Sequence, residues 1–264
     1  MRGLTEEAAG VAIDVATRVL HLPTVRASAD ELAAAAVRDR LTHRAYLAEL
    51  LSAEVDDRES RRRERRIAEA RFPRVKRLAE FDLGATPSIG PAVLGTLAQG
   101  AWIRASEPVV LLGDSGTGKT HLLIGLGIAA CEAGLRVRYV TAAALVNELV
   151  EAEDERELSK VIGRYGRIDL LCLDELGYLH LDRRGAELLF QVLTERDERA
   201  SIAVASNAPF SEWGQTFTDP RLAAAVVDRL MFGAYILETG AGPQLVAGAA
   251  LAKETVTLPA TEVT

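Results

Sequence analysis

Cysteine is scarce in this chain of 264 residues: there are two, Cys131 and Cys172, both inside apolar stretches where a thiol packs as a small hydrophobe. That count excludes a disulfide-stapled domain, and a reducing, cytoplasmic setting is expected. Long apolar runs are missing too. No window approaches the roughly 18 apolar residues of a membrane-spanning helix, and the opening MRGLTEEAAGVAIDV has no basic stretch followed by an unbroken apolar core. Neither membrane insertion nor export is expected. The four histidines, His21, His43, His121 and His180, share no ligand spacing, which argues against a structural metal. Internal repeats and low-complexity tracts are also absent.

What is present is the composition of a globular protein, 48% hydrophobic and 26% charged. The formal net charge of −7 argues against a surface that binds nucleic acid everywhere. Charge is unevenly placed, however. Between Arg58 and Arg77 ten basic residues face Glu59, Glu64 and Glu69, a local balance of +7 that leaves −14 for the rest. Within that run Arg61, Arg62, Arg65 and Arg66 are the candidate phosphate-backbone contacts. A solvated helix face, with pairs such as Glu59 and Arg63, is the alternative reading.

The first eighty residues read as helices. Ser28 with Glu31 forms a capping-box pattern, and neither glycine nor proline follows until Pro73. Leu47, Leu50, Leu51 and Val55 recur at helical spacing and are expected to form a packed face. Phe72-Pro73 breaks the pattern. Gly84, Pro87, Gly90 and Pro91 mark the junction, which places a small all-helical N-terminal domain with its basic linker helix at 1–82 and a second domain at 83–264. From Val109 the rhythm changes to short apolar runs between helical segments, the pattern of a parallel sheet flanked by helices in an α/β fold. Five strands are expected, near Val109–Leu112, Val137–Val140, Leu170–Leu173, Ile202–Ala205 and Tyr235–Leu237. The tail after Lys253 reads as an edge strand or a loose end.

Gly113-Asp114-Ser115-Gly116-Thr117-Gly118-Lys119-Thr120 satisfies the Walker A pattern between an apolar strand and a helix. Its glycines let successive N–H groups point at phosphate oxygens, aided by the helix N-terminus, with His121 next in line. Lys119 is expected to reach the β and γ phosphates of ATP, and the Thr120 hydroxyl to ligate Mg²⁺. The strand Ile168-Asp-Leu-Leu-Cys-Leu173 ends in Asp174-Glu175, a Walker B arrangement. There Asp174 would hold Mg²⁺ through water and Glu175 would polarise the attacking water; an acidic pair capping a turn is the plainer alternative. Ser201-Ile-Ala-Val-Ala-Ser206 terminates in Asn207, a candidate γ-phosphate sensor or an ordinary turn residue. Arg229, just before the last strand, is the candidate arginine finger acting on a neighbouring subunit, with Arg221 in reserve. An ordinary surface arginine beside Asp228 is the competing reading.

With these pieces the chain resembles the IstB-type transposition helper ATPases of insertion sequences, AAA+ proteins related to the DnaC-type helicase loaders. The resemblance rests on Tyr46-Leu-Ala-Glu-Leu-Leu51, the Arg-rich stretch into Ala70-Arg-Phe-Pro73, Glu80-Phe-Asp82, Gly118-Lys-Thr-His-Leu122, Leu173-Asp-Glu-Leu-Gly-Tyr-Leu179, Glu187-Leu-Leu-Phe190, Ser206-Asn207 and Pro209-Phe-Ser-Glu-Trp213. It implies a Mg-dependent ATPase that assembles as a homo-oligomer with ATP between subunits, binds duplex DNA and helps a cognate transposase engage its target. A helicase loader and a nucleotide-gated scaffold with little turnover are the alternatives. The chain departs from the family where a His pair usually follows the finger: here stand Met231-Phe232-Gly233. No arginine lies beyond 229, and a full C-terminal lid domain is not expected.

Overall fold

The computed structural model describes residues 5–178, 180–217, 219–240 and 245–247. It divides into two compact units between Arg65 and Arg66.

The first unit is built from α1 (Glu6–Val19), α2 (Pro23–Arg38) and most of α3 (His43–Ala70). Thr5 caps α1 by accepting from the Ala8 N–H, and Glu6 and Glu7 sit in its first turn, where the helix dipole favours negative charge. The expected cap at Ser28 is not a cap. Proline at N1 fixes the start of α2 five residues earlier, so Ser28 lies inside the helix. No side chain of its own caps α2. Its free N–H groups at Thr24 and Val25 instead donate to the Glu54 carboxylate of α3, at 2.8 and 3.1 Å.

The packed face of α3 also differs from expectation. Leu50 is buried with Val25 and Ala29, and Tyr46 packs beside them, donating to the Ala29 carbonyl. Leu47, Leu51 and Val55 are 53%, 45% and 54% exposed. The buried stripe is Tyr46, Leu50 and Glu54, one position round the helix from the leucine series.

Arg71, at φ 59°, closes α3 ahead of Phe72-Pro73. The residues that follow do not belong with the N-terminal helices, as the expected junction at 82 implied. Ile67, Ala70, Phe72, Leu78 and Phe81 pack into the core of the second unit. Burial of that apolar set moves the division back to 65/66.

The second unit runs α4 (Pro91–Ala98), α5 (Ala101–Arg104), β1 (Val109–Leu112), α6 (Lys119–Glu132), β2 (Val137–Thr141), α7 (Ala142–Asp154), α8 (Leu158–Gly166), β3 (Leu170–Asp174), α9 (Arg183–Arg196), β4 (Ser201–Ser206), α10 (Trp213–Thr216), α11 (Pro220–Met231), β5 (Tyr235–Glu238) and β6 (Leu245–Ala247). The sheet order is β2-β3-β4-β1-β5-β6. Its first five strands are parallel, as expected, and β6 adds an antiparallel edge. Alternation along β1 sends Val109 and Leu111 to the face covered by α4, α5 and α6, and Val110 and Leu112 to the face covered by α7, α8, α9 and α11. The tail after Lys253 lies outside the described residues. Among the described residues no helix is long and apolar enough to cross a membrane.

Candidate functional site

Strand order decides what meets. β1 carries the glycine-rich loop at its carboxyl end and β3 carries Asp174-Glu175. β4 pairs with both, so Asn207, immediately after it, lies between them.

The loop curls because Gly113, Gly116 and Gly118 take φ of 140°, 81° and 94°. At Gly113 the loop also has no room for a side chain, since a Cβ there would run into the Thr239 backbone carbonyl and hydroxyl. Thr239 follows β5. Its N–H and hydroxyl both donate to the Leu112 carbonyl, and its hydroxyl pairs with that of Thr117 at 2.5 Å. The base of the loop is thus tied to the neighbouring strand. Asp114, Ser115 and Gly116 form its exposed crest.

Lys119 opens α6 and folds back over the loop, donating to the Gly113 and Asp114 carbonyls at 2.6 Å each. Burial pulls its ammonium below the ordinary lysine value, and the charges of Asp174 and Asp114 oppose that pull. Thr120 follows with its side chain exposed. The His121 ring turns away from the loop: its Nε2–H donates to the Arg77 carbonyl at 3.0 Å and its ring meets Phe81 edge-on. Only its backbone is left to face a phosphate.

Asp174 is buried, with both carboxylate oxygens engaged. Oδ1 accepts from the Glu175 N–H at 2.9 Å and Oδ2 from the Tyr139 hydroxyl at 2.7 Å. Burial, followed by that bond, pushes the Tyr139 phenol far above its usual range, so it serves as a donor. Glu175 is exposed and held at φ 62°, a left-handed conformation that costs a non-glycine residue about 1–3 kcal/mol and turns its side chain off the strand axis.

Asn207 is pinned from three directions. The Ser206 hydroxyl accepts from the Ala208 N–H and donates to the Ala208 carbonyl. Trp213 donates its indole N–H to the same carbonyl and packs at a tilt against the Phe210 and Phe217 rings, which accounts for the Pro-Phe-Ser-Glu-Trp string. Gly177 presses from the third side, where a Cβ would collide with Asn207 Oδ1, the Ala208 nitrogen at 2.7 Å and the Ser206 hydroxyl at 2.8 Å. So held, Asn207 Oδ1 is buried with no hydrogen-bond partner among the described residues. Such an atom costs about 1–3 kcal/mol unless a ligand or water meets it.

Arg229 stands elsewhere. It lies in the last turn of α11, which feeds the amino end of β5, whereas the glycine loop leaves the carboxyl end of β1. A four-residue strand at about 3.3 Å per residue separates those edges. The side chain bonds Asp197 and Thr194, both at 2.9 Å, and lies over the Phe190 ring. Arg229 therefore cannot serve its own chain's loop. Arg221 is exposed at the other end of α11. The basic run is partly spent within the fold: Arg61 bonds Asp57 and Thr24, Arg66 donates to the Cys131 carbonyl, and Arg77 pairs with Glu132. Arg62 and Arg65 are exposed.

The sequence profile of the family described as IstB-like ATP binding protein matches residues 15–243. The chain belongs to that family. An IS21 insertion-sequence ATP-binding protein of Pseudomonas aeruginosa is 40% identical over 196 residues, 74% of either chain. One from the IS5376 element of Geobacillus stearothermophilus is 35% identical across 80% of this chain and 84% of its own. Among solved structures, AMPPCP-bound DnaA from Aquifex aeolicus superposes with a TM-score of 0.52 at 24% identity, over 64% of this chain and half of that one. A DnaI structure gives 0.51 at 19%, over 62% and 91%. At those identities the superpositions speak to the fold alone.

Three residues of the site escaped sequence reasoning. Thr239 had a usable signal, a polar residue ending an apolar strand on the same sheet edge as the motifs. Gly177 sits inside the Leu-Gly-Tyr string that carries the resemblance. Tyr139 had none, because its partner is 35 residues away on another strand.

Proposed function

We propose that the chain binds Mg-ATP in the Gly113–Thr120 loop and hydrolyses it as the motor of an assembly on duplex DNA that assists a transposase. The observation that carries this reading is the meeting at one sheet edge of the glycine loop, Asp174-Glu175 and the unpartnered Asn207 Oδ1. The residues suit the nucleotide: Lys119 now spends its protons on loop carbonyls that phosphate oxygens can replace, and glycines at positive φ let loop N–H groups turn toward an anion. The Thr120 hydroxyl and Asp174 would hold Mg²⁺, whose part is to neutralise phosphate charge.

Glu175, exposed and turned off the strand, accepts the proton of the attacking water. Asn207 orients that water and the γ-phosphate. Lys119 stabilises charge that grows on the transferred group. Arg229, unable to reach its own loop, completes the site of a neighbouring subunit, which makes the active form a homo-oligomer with ATP between subunits. Arg61, Arg62, Arg65 and Arg66 contact phosphates of the duplex.

Steady-state ATP turnover with and without duplex DNA tests the reading, with Lys119→Ala as the control. Mg-dependent turnover that duplex DNA stimulates and Lys119→Ala abolishes is expected. Nucleotide binding with negligible turnover under both conditions would replace it with a nucleotide-gated scaffold.

A further inference from the structure

Among the described residues, the hydroxyl of Tyr139 is the one donor from outside the Asp174-Glu175 segment to the Asp174 carboxylate. Three features make that contact a built one. The register pairs Tyr139 with Cys172 and Thr141 with Asp174, so the tyrosine lies one alternation below the carboxylate, on the adjacent strand and the same face. A ring at that position spans the gap, ending in a 2.7 Å bond. The ring is 9% exposed and backed by Phe72, at 6.1 Å between centroids. Phe72 in turn fits only because Gly127 of α6 has no side chain: a Cβ there would lie 2.7 Å from the Phe72 ring and 3.1 Å from Cys172 Sγ.

We propose that Tyr139 is a positioning residue for the metal-binding carboxylate, fixing the rotation of Asp174 while leaving each of its oxygens a lone pair for the ion. The proposal rests on the reading of Asp174 as the Mg²⁺-binding carboxylate. A carboxylate with one oxygen on its neighbour's N–H and the other on a phenol can no longer swing about its last torsion, and the orientation needed for the ion is set before the ion arrives. Partners of this kind, behind a metal ligand, are worth about 10–100-fold in metal affinity. Phe72 and Gly127 act one step further back by holding the ring.

Tyr139→Phe removes only the hydroxyl and keeps the packing. The full-length variant and wild type are titrated with a fluorescent ATP in EDTA and across a series of Mg²⁺ concentrations, and thermal unfolding is followed alongside. Affinity in EDTA is expected to stay at the wild-type value and the unfolding midpoint to fall only by what the loss of one buried hydrogen bond explains, while the Mg²⁺ concentration that gives half the metal-dependent gain in binding rises about tenfold or more. Turnover at saturating Mg²⁺ recovers to near the wild-type rate. An unchanged Mg²⁺ requirement overturns the positioning role and leaves the ATPase reading standing. A parallel loss of affinity in EDTA and of thermal stability overturns it in favour of packing alone. If wild type itself gains no affinity from Mg²⁺, the assignment of Asp174 fails and Tyr139 falls with it.

Discussion

Gly177 shows how one missing side chain shapes the site. It lies in the Leu-Gly-Tyr turn after the Walker B pair, where no unusual backbone angle calls for glycine; what calls for it is the closeness of Ser206, Asn207 and Ala208. Gly177→Ala forces the Ser206-Asn207-Ala208 turn outward. Overpacking of this kind costs about 1–3 kcal/mol, so the urea midpoint should fall and turnover should fall with it, because Asn207 moves relative to the γ-phosphate. Equal turnover in both proteins would remove Asn207 from the mechanism. At this scale the sequence was legible where chemistry is contiguous: Gly113 to Thr120 and Asp174-Glu175 declare themselves in consecutive residues. It was opaque where a bond joins distant strands, as with Tyr139 to Asp174 and Thr239 to Leu112.

Elements follow the same division. The five parallel strands were readable because each is a short apolar run between helical segments. The start of α2 departs from the Ser-Glu pattern because Pro23 at N1 outweighs it, and because the cap comes from another helix. That cap carries a pH dependence. Burial raises the Glu54 carboxyl, yet the Val25 and Thr24 N–H bonds and the Arg58 charge outweigh it and hold the group below its ordinary value of 4.5. A depressed carboxyl adds stability that is complete above that ordinary value and is lost as pH falls through the folded one. Protection of the Thr24 and Val25 amides, taken relative to the intrinsic exchange rate at each pH, should therefore fall in acid and, at neutral pH, in Glu54→Ala, which strands two donors at about 1–3 kcal/mol. Equal protection in wild type and Glu54→Ala at neutral pH would show that the carboxylate does not hold the start of α2.

Across the whole molecule, the proposed pairing of subunits turns on where Arg229 lies. Arg229 sits at the sheet edge opposite the glycine loop, fixed by Asp197, Thr194 and Phe190, and a side chain so placed has no use within its own chain's site. Arg229→Ala and Glu175→Gln should each be inactive alone, and mixing them should restore part of the turnover, since mixed assemblies contain sites with a wild-type Glu175 facing a wild-type Arg229. No recovery on mixing, or full activity of a dilute monomer, would return Arg229 to a structural role.

In the proposed mechanism Glu175 activates water while Lys119, Thr120 and Asp174 bind Mg-ATP, and one comparison separates those roles: equilibrium ATP affinity and steady-state turnover of wild type and Glu175→Gln in the same Mg²⁺ buffer. Affinity within a few-fold of wild type and turnover lower by about two to four orders of magnitude are expected, the range for loss of a general base. Hydrolysis by Glu175→Gln at the wild-type rate would contradict it.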